Sequence, residues 1–212
     1  MNRQSILLLA FFLAGFAVST VLNLEEEVMR VWLERILYLL LFVIGIAVSD
    51  EISKLRETHA LAGKVARLLL STISGSAIGG LLSGLVLAYS GSLSEAGCFS
   101  LICVVKYSMA ISLGMGWYTF TGVLLGTHSY FLGFLGFMSN LLRELLTFTI
   151  YPLLPKKLAI SGISMGGATT MDTTLPIMHK FGGPKVSLLA FIHGTVLTLL
   201  IPILLPLVVN IV

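Results

Sequence analysis

Glu144 and Asp172 are carboxylates set in stretches that are otherwise apolar, and their neighbours are hydroxyls, glycines and amides rather than a charged link. An acidic side chain at mid-bilayer depth costs roughly 2.5 to 3.5 kcal/mol on insertion scales, so it is tolerated where it faces a cavity, a partner or a bound ion. Carboxylates in such places bind cations and carry protons. Arg143 precedes Glu144, and His193 lies in a later apolar run, so groups able to hold an anion or relay a proton stand in the same half of the chain.

The elements that must position these groups are membrane helices. Of the 212 residues 57% are hydrophobic and 11% charged, and the mean hydropathy is +1.01. About 20 apolar residues at 1.5 Å rise cover a hydrocarbon core about 30 Å thick, and several such runs follow one another with short polar links. The fold expected is an all-α, polytopic bundle in one transmembrane domain over residues 1–212. The formal charge of +3 sits in the links and bears on orientation. No basic helix or aromatic platform suggests nucleic acid.

The first apolar run, Ser5 to Leu22, is longer than a signal-peptide core and lacks a small-residue cleavage site, so it reads as a retained helix. A second begins near Trp32 and runs through Ile36 to Val48. Lys54, Arg56, Lys64 and Arg67 then crowd one link, which the positive-inside bias makes cytoplasmic. The third helix, Leu68 to Ala88, carries Gly75, Gly79, Gly80 and Gly84, the small residues that let helix backbones approach inside a bundle. Cys98 and Cys103 read as packing residues on different faces of one helix, without metal spacing or an obvious disulfide.

Two later segments read as discontinuous or re-entrant helices. In Ser112 to Thr127 four glycines surround Trp117 and Tyr118; in Ile160 to Thr174, Gly166 and Gly167 precede Thr169, Thr170, Asp172 and Thr173, with Pro176 behind. Unpaired backbone in hydrocarbon costs several kcal/mol per group, so both must be buried in protein or line a wet cavity. Between them the helix Tyr130 to Leu154 carries Asn140, Glu144, Thr147 and Tyr151 at steps of four, three and four, one polar stripe turned from lipid. Arg143 lies about 100° round from Glu144 and reaches towards Asp172 or a backbone carbonyl elsewhere. Lys156 and Lys157 also call for the cytoplasmic side, which requires an odd number of crossings between Tyr89 and Pro155. The last span, Val186 to Val212, holds His193 early and Pro202 and Pro206 late.

The blocks Gly114 to Leu125, Asn140 to Phe148, Gly166 to Ile177, Phe181 to Gly183 and Ile192 to Leu204, in this order and spacing, resemble the lysine exporter LysO family. The resemblance runs from about Ile36 to the C-terminus. It implies a plasma-membrane transporter that exports L-lysine and related basic amino acids from the cytoplasm, coupled to inward proton movement, with Glu144 and Asp172 as its leading functional residues. Longer members carry an additional N-terminal set of helices, so a second copy of this chain, in a homodimer, is expected to stand in for them.

Lysine presents two ammonium groups and one carboxylate. Glu144 and Asp172 suit ammonium recognition or proton coupling; Arg143 and the amides near Gly166 and Gly167 suit the carboxylate, with Asn140, Thr169, Thr170 and Thr173 as further contacts. Trp117 and Tyr118 read as pocket wall, and His193 as either a relay or a packing residue. The plainer alternatives are a Glu144–Arg143 ion pair and Asp172 as a helix cap. A passive channel or an intramembrane enzyme built on the two acids are the alternative functions. No nucleophile–base pair, HExxH site or phosphate loop supports an enzyme, and no metal or other cofactor is called for.

Overall fold

The computed structural model describes residues 62–90 and 100–210, with scattered positions between 14 and 42. The expected helix Ser5 to Leu22 and most of the one starting near Trp32 lie outside the described residues; the scattered positions are helical. Among the described residues every regular element is a helix: α1 Ala62–Ser90, α2 Leu101–Leu113, α3 Tyr118–Gly126, α4 Tyr130–Ile150, α5 Ile163–Gly166, α6 Leu175–Gly182 and α7 Pro184–Asn210. Short 3-10 turns extend α4 over Tyr151–Leu153 and follow α5 over Gly167–Met171. The bundle is all-α, and α1, α4 with its extension, and α7 are each long and apolar enough to cross a bilayer.

Three apolar clusters show where each helix starts and stops. At one end Val65, Leu68, Tyr151, Ile163, Met178 and Val186 pack together, near the cations Lys64, Arg67, Lys156, Lys157, Lys180 and Lys185. At the opposite end Val104, Leu125, Leu132 and Val209 pack with Leu87 and Ala88. Between them Leu113, Met115, Phe120, Ala168, Leu197 and Ile201 form the middle layer.

This layering defines the path of the chain. α1 runs from the basic end to the opposite end. α2 dips from there to the middle, and α3 returns to the end it came from, bringing His128 within 6.1 Å of Tyr107, ring centre to ring centre. α4 then crosses to the basic end. α5 and α6 form a second hairpin that enters from the basic side, reaches the middle and returns, where the space beside Gly182 is closed by Val186 and Tyr151. α7 crosses back. Two hairpins therefore enter from opposite faces, and one crossing, α4, separates Tyr89 from Pro155. That odd number is what the two basic links require.

The two hairpins carry related runs. Ile111-Ser112-Leu113-Gly114 ends α2, and Ile163-Ser164-Met165-Gly166 forms α5. Both serines tie their hairpin to α1: Ser112 Oγ donates to Ser76 O at 2.7 Å, and Ser164 Oγ lies 3.1 Å from Ser71 Oγ. Directly after each run comes a left-handed residue, Met115 (φ 44°) and Gly167 (φ 62°). A spanning helix followed by a hairpin from the side it has reached, repeated in inverted orientation, is the plan of many secondary transporters.

The helix bounds refine the sequence reading. α1 is longer than Leu68 to Ala88, and it buries one stripe, Val65, Leu68, Thr72, Ser76, Gly80 and Gly84. Only part of the expected glycine packing is realised: a Cβ on Gly80 or Gly84 would lie 2.8 or 2.9 Å from the α2 backbone, whereas Gly75 and Gly79 meet nothing within 4 Å. α7 continues without interruption past Pro202 and Pro206. The cysteine expectation is corrected. Cys103 is disulfide-bonded, and the chain has one other cysteine, Cys98, outside the described residues. The reason is local: α2 begins at Leu101 with Ser100 as N-cap, so Cys103 stands in the first turn of the helix rather than in its body.

Candidate functional site

The hairpin tips meet in the middle layer. Ala168 N donates to Met115 O at 2.8 Å, and a Cβ on Gly116 would lie 2.7 Å from Gly166 O. The hydrogen position of Gly167 is turned onto the Met115 carbonyl, so no larger residue fits at that approach. Gly116 is itself left-handed at φ 94°, and Met115 takes this conformation at a cost of about 1–2 kcal/mol for a residue with a Cβ.

Breaking two helices at this depth leaves backbone groups that water cannot reach, and α4 supplies their partners. Asn140, 2% exposed, accepts from Gly116 N at 2.7 Å and donates to Ile111 O and Gly136 O, both at 2.9 Å. One turn on, Arg143 donates to Met165 O and Ser164 O at 2.9 Å each, and to Ser76 Oγ at 3.0 Å. Its cation thus covers the carbonyl end of α5, where the helix dipole is negative. The contact with another segment's carbonyls is the one expected of its reach; the alternative ion pair with Glu144 is not formed.

Glu144 occupies the stripe predicted for it. Asn140, Glu144, Thr147 and Tyr151 are all buried, Glu144 at 6% exposure. Counted along α4, Glu144 lies about 21 Å from the opposite end, inside a core about 30 Å thick. Its Oε2 has no hydrogen-bond partner. Tyr118, the first residue of α3, is within electrostatic range of both Glu144 and Asp172, and its ring meets Phe137 edge-on at 5.3 Å.

Asp172 is placed differently from Glu144. It is exposed, and its Oδ1 accepts from Thr173 N at 2.6 Å. It does not cap α6, whose N-cap is Thr174 without a side-chain bond. It lines a cavity of about 110 Å³ between the tips, together with Trp117, Tyr118, Thr169, Thr173 and Thr198. The two aromatic residues are therefore pocket wall, and Thr198 of α7 is a lining residue that sequence reasoning missed.

The remaining candidates build the crossing. Gly166 closes α5, so that end offers carbonyls rather than amides, and the amide after Gly167 is already bonded to Met115 O. Thr169 Oγ1 donates to Gly166 O at 2.9 Å. His193, 0% exposed, sits between two hydroxyls, with Nε2 2.9 Å from Thr72 Oγ1 and Nδ1 3.2 Å from Thr170 Oγ1. Thr170 Oγ1 also lies 2.8 Å from Gly167 O and Ala190 O, so the imidazole braces α1, the second tip and α7. Thr72 was invisible as a partner, because nothing in sequence links it to a residue 121 positions away.

The family model described as lysine exporter LysO matches residues 9–209. This chain belongs to the LysO family. It is 31% identical over 173 residues to lysine exporter LysO of Escherichia coli K12, a match covering 81% of this chain and 52% of that protein. It is 32% identical over 172 residues to a putative lysine exporter of Haemophilus influenzae Rd, covering 80% of each. The chain thus spans about half the length of the E. coli relative. No solved structure matches. It is a multi-pass protein of the plasma membrane.

Proposed function

We propose that this chain exports L-lysine, and related basic amino acids, from the cytoplasm in exchange for protons. The observation that carries this reading is Glu144, a carboxyl group buried beside the meeting point of two broken helices with one oxygen unpartnered. One carboxyl group can hold a proton or pair with an arriving ammonium, so proton release is exchanged for substrate binding at that single group. Tyr118 and Asp172 form the open side of the site, and Asp172 is the first carboxylate a cation meets there. The names of the relatives supply lysine as the cation.

The cation bias supports the basic end as cytoplasmic. The disulfide at Cys103, at the opposite end, suits the oxidising side of the membrane. The hairpin α5–α6 is then reached from the cytoplasm and α2–α3 from outside.

Reconstituted vesicles test the proposal. Lysine added on the side of the basic end should drive proton movement the other way, and Glu144→Gln should abolish that exchange while the protein stays folded. Lysine flux without proton movement would instead mark a channel, and undiminished exchange by Glu144→Gln would sink the assignment.

A further inference from the structure

A second polar feature lies along α1 and uses none of the acidic cluster. Three cavities follow one another there. The first, about 590 Å³, begins at Lys64 and Arg67; the second, about 330 Å³, shares Ser71 and Ser164 with it; the third, about 530 Å³, shares Ser112 and Arg143 with the second and ends at Leu87. From Lys64 to Leu87, α1 rises about 35 Å, so this groove extends the full thickness of a bilayer core.

Past Lys64 and Arg67 at its mouth, its chemistry is that of hydroxyls around Arg143. Arg143 stands at the waist, with no carboxylate among the described residues paired to it. Three of the five N–H groups of the guanidinium are bonded, which leaves two for something else. In the third cavity Ser108 is 4% exposed, and its Oγ is buried without a partner. Ser139 and Ser83 line the same space. A half-buried cation with no counter-charge among the described residues and a buried hydroxyl without a partner are each costly, and one ligand that accepts hydrogen bonds and carries negative charge relieves both.

We propose that the serine-lined groove at Arg143 is an anion-binding site, taking a small monovalent anion held by the guanidinium and by Ser108. The chemistry shared by its possible occupants is a compact charged acceptor: the carboxylate of an amino acid, or an inorganic halide. The site does not depend on the lysine-export reading, since it uses neither Glu144 nor Asp172.

The full chain, purified in a Tris–HEPES buffer free of halide and carboxylate, is titrated with chloride, acetate, lysine or the diamine cadaverine, the last two neutralised with HEPES, while its thermal unfolding midpoint is followed. A saturable rise with acetate and lysine but not with cadaverine identifies a carboxylate as the occupant, and a saturable rise with chloride alone identifies the halide; either supports the site. Ser108→Ala combined with Ser139→Ala should weaken the half-saturating concentration about tenfold. The Ser108 change removes a hydroxyl that bonds nothing in the fold, so stability without anion should be preserved. No saturable response to any of the anions, or an identical response in the double variant, overturns the proposal, and neither result bears on exchange through Glu144.

Discussion

Asn140 and Arg143, one helical turn apart on α4, each hold a different hairpin tip: Asn140 bonds the first break at Gly116 and Ile111, and Arg143 bonds the second at Ser164 and Met165. The tips themselves share one backbone bond, from Ala168 N to Met115 O. α4 is thus the element that keeps two interrupted helices in register across the middle of the membrane. Glu144 lies on the same turn, so any shift of the tips is felt beside it.

Replacing Asn140 by Leu removes three hydrogen bonds and strands the buried Gly116 amide, while the Ile111 carbonyl keeps its 3.3 Å bond from Gly114 N. At about 1–3 kcal/mol for one buried orphan, a loss of about 1–3 kcal/mol is expected. Chemical unfolding in a fixed detergent measures it, and a loss below 1 kcal/mol would show that the tip does not depend on this amide.

Two glycines give opposite expectations for the same substitution. Gly167→Ala places a methyl on the Met115 carbonyl at a left-handed backbone position, and should separate the tips, lowering both stability and transport. Gly75→Ala meets nothing within 4 Å in a helix interior, and should leave stability unchanged or raise it by up to about 1 kcal/mol. Equal thermal midpoints for the two variants would contradict the crossing.

Arg143→Lys keeps the charge but replaces a planar fork with a point donor, which cannot bond Ser164, Met165 and Ser76 together. The expected cost is about 2–3 kcal/mol, against about 1 kcal/mol for Ser76→Ala, which deletes one acceptor. Unfolding midpoints of the two variants decide the order.

His193 separates a brace from a relay. As a brace it should couple to Thr72, so the double-mutant cycle of His193→Gln and Thr72→Val should return an interaction of about 1 kcal/mol in stability, with exchange falling only in proportion to the folded fraction. A proton-selective loss of exchange at unchanged stability would make it a relay instead.

The opposed hairpins predict a labelling pattern. In a background without native cysteines, single cysteines at Ser100 and Ser129 should react from one side of the membrane, and those at Lys64 and Lys156 from the other. Labelling of positions 100 and 129 from different sides would mean that α2 and α3 together make one net crossing rather than a hairpin, contrary to the layering of Leu125 with Leu87.

Much of this protein could be read from its residues because membrane insertion is governed by local composition. Spans of about 20 apolar residues, cations gathered in two links and a buried stripe at steps of four, three and four each follow from hydropathy and helical period alone. So did the two breaks, since glycine and threonine runs weaken a helix wherever they fall. Tertiary structure decided what period cannot encode: that both breaks are tips of hairpins from opposite faces, that they touch at Met115 and Ala168, that Arg143 turns to carbonyls rather than to Glu144, and that Thr72 meets His193. Those contacts join positions up to 121 residues apart, and which of them form depends on how the helices pack, because each helix by itself leaves its partners open.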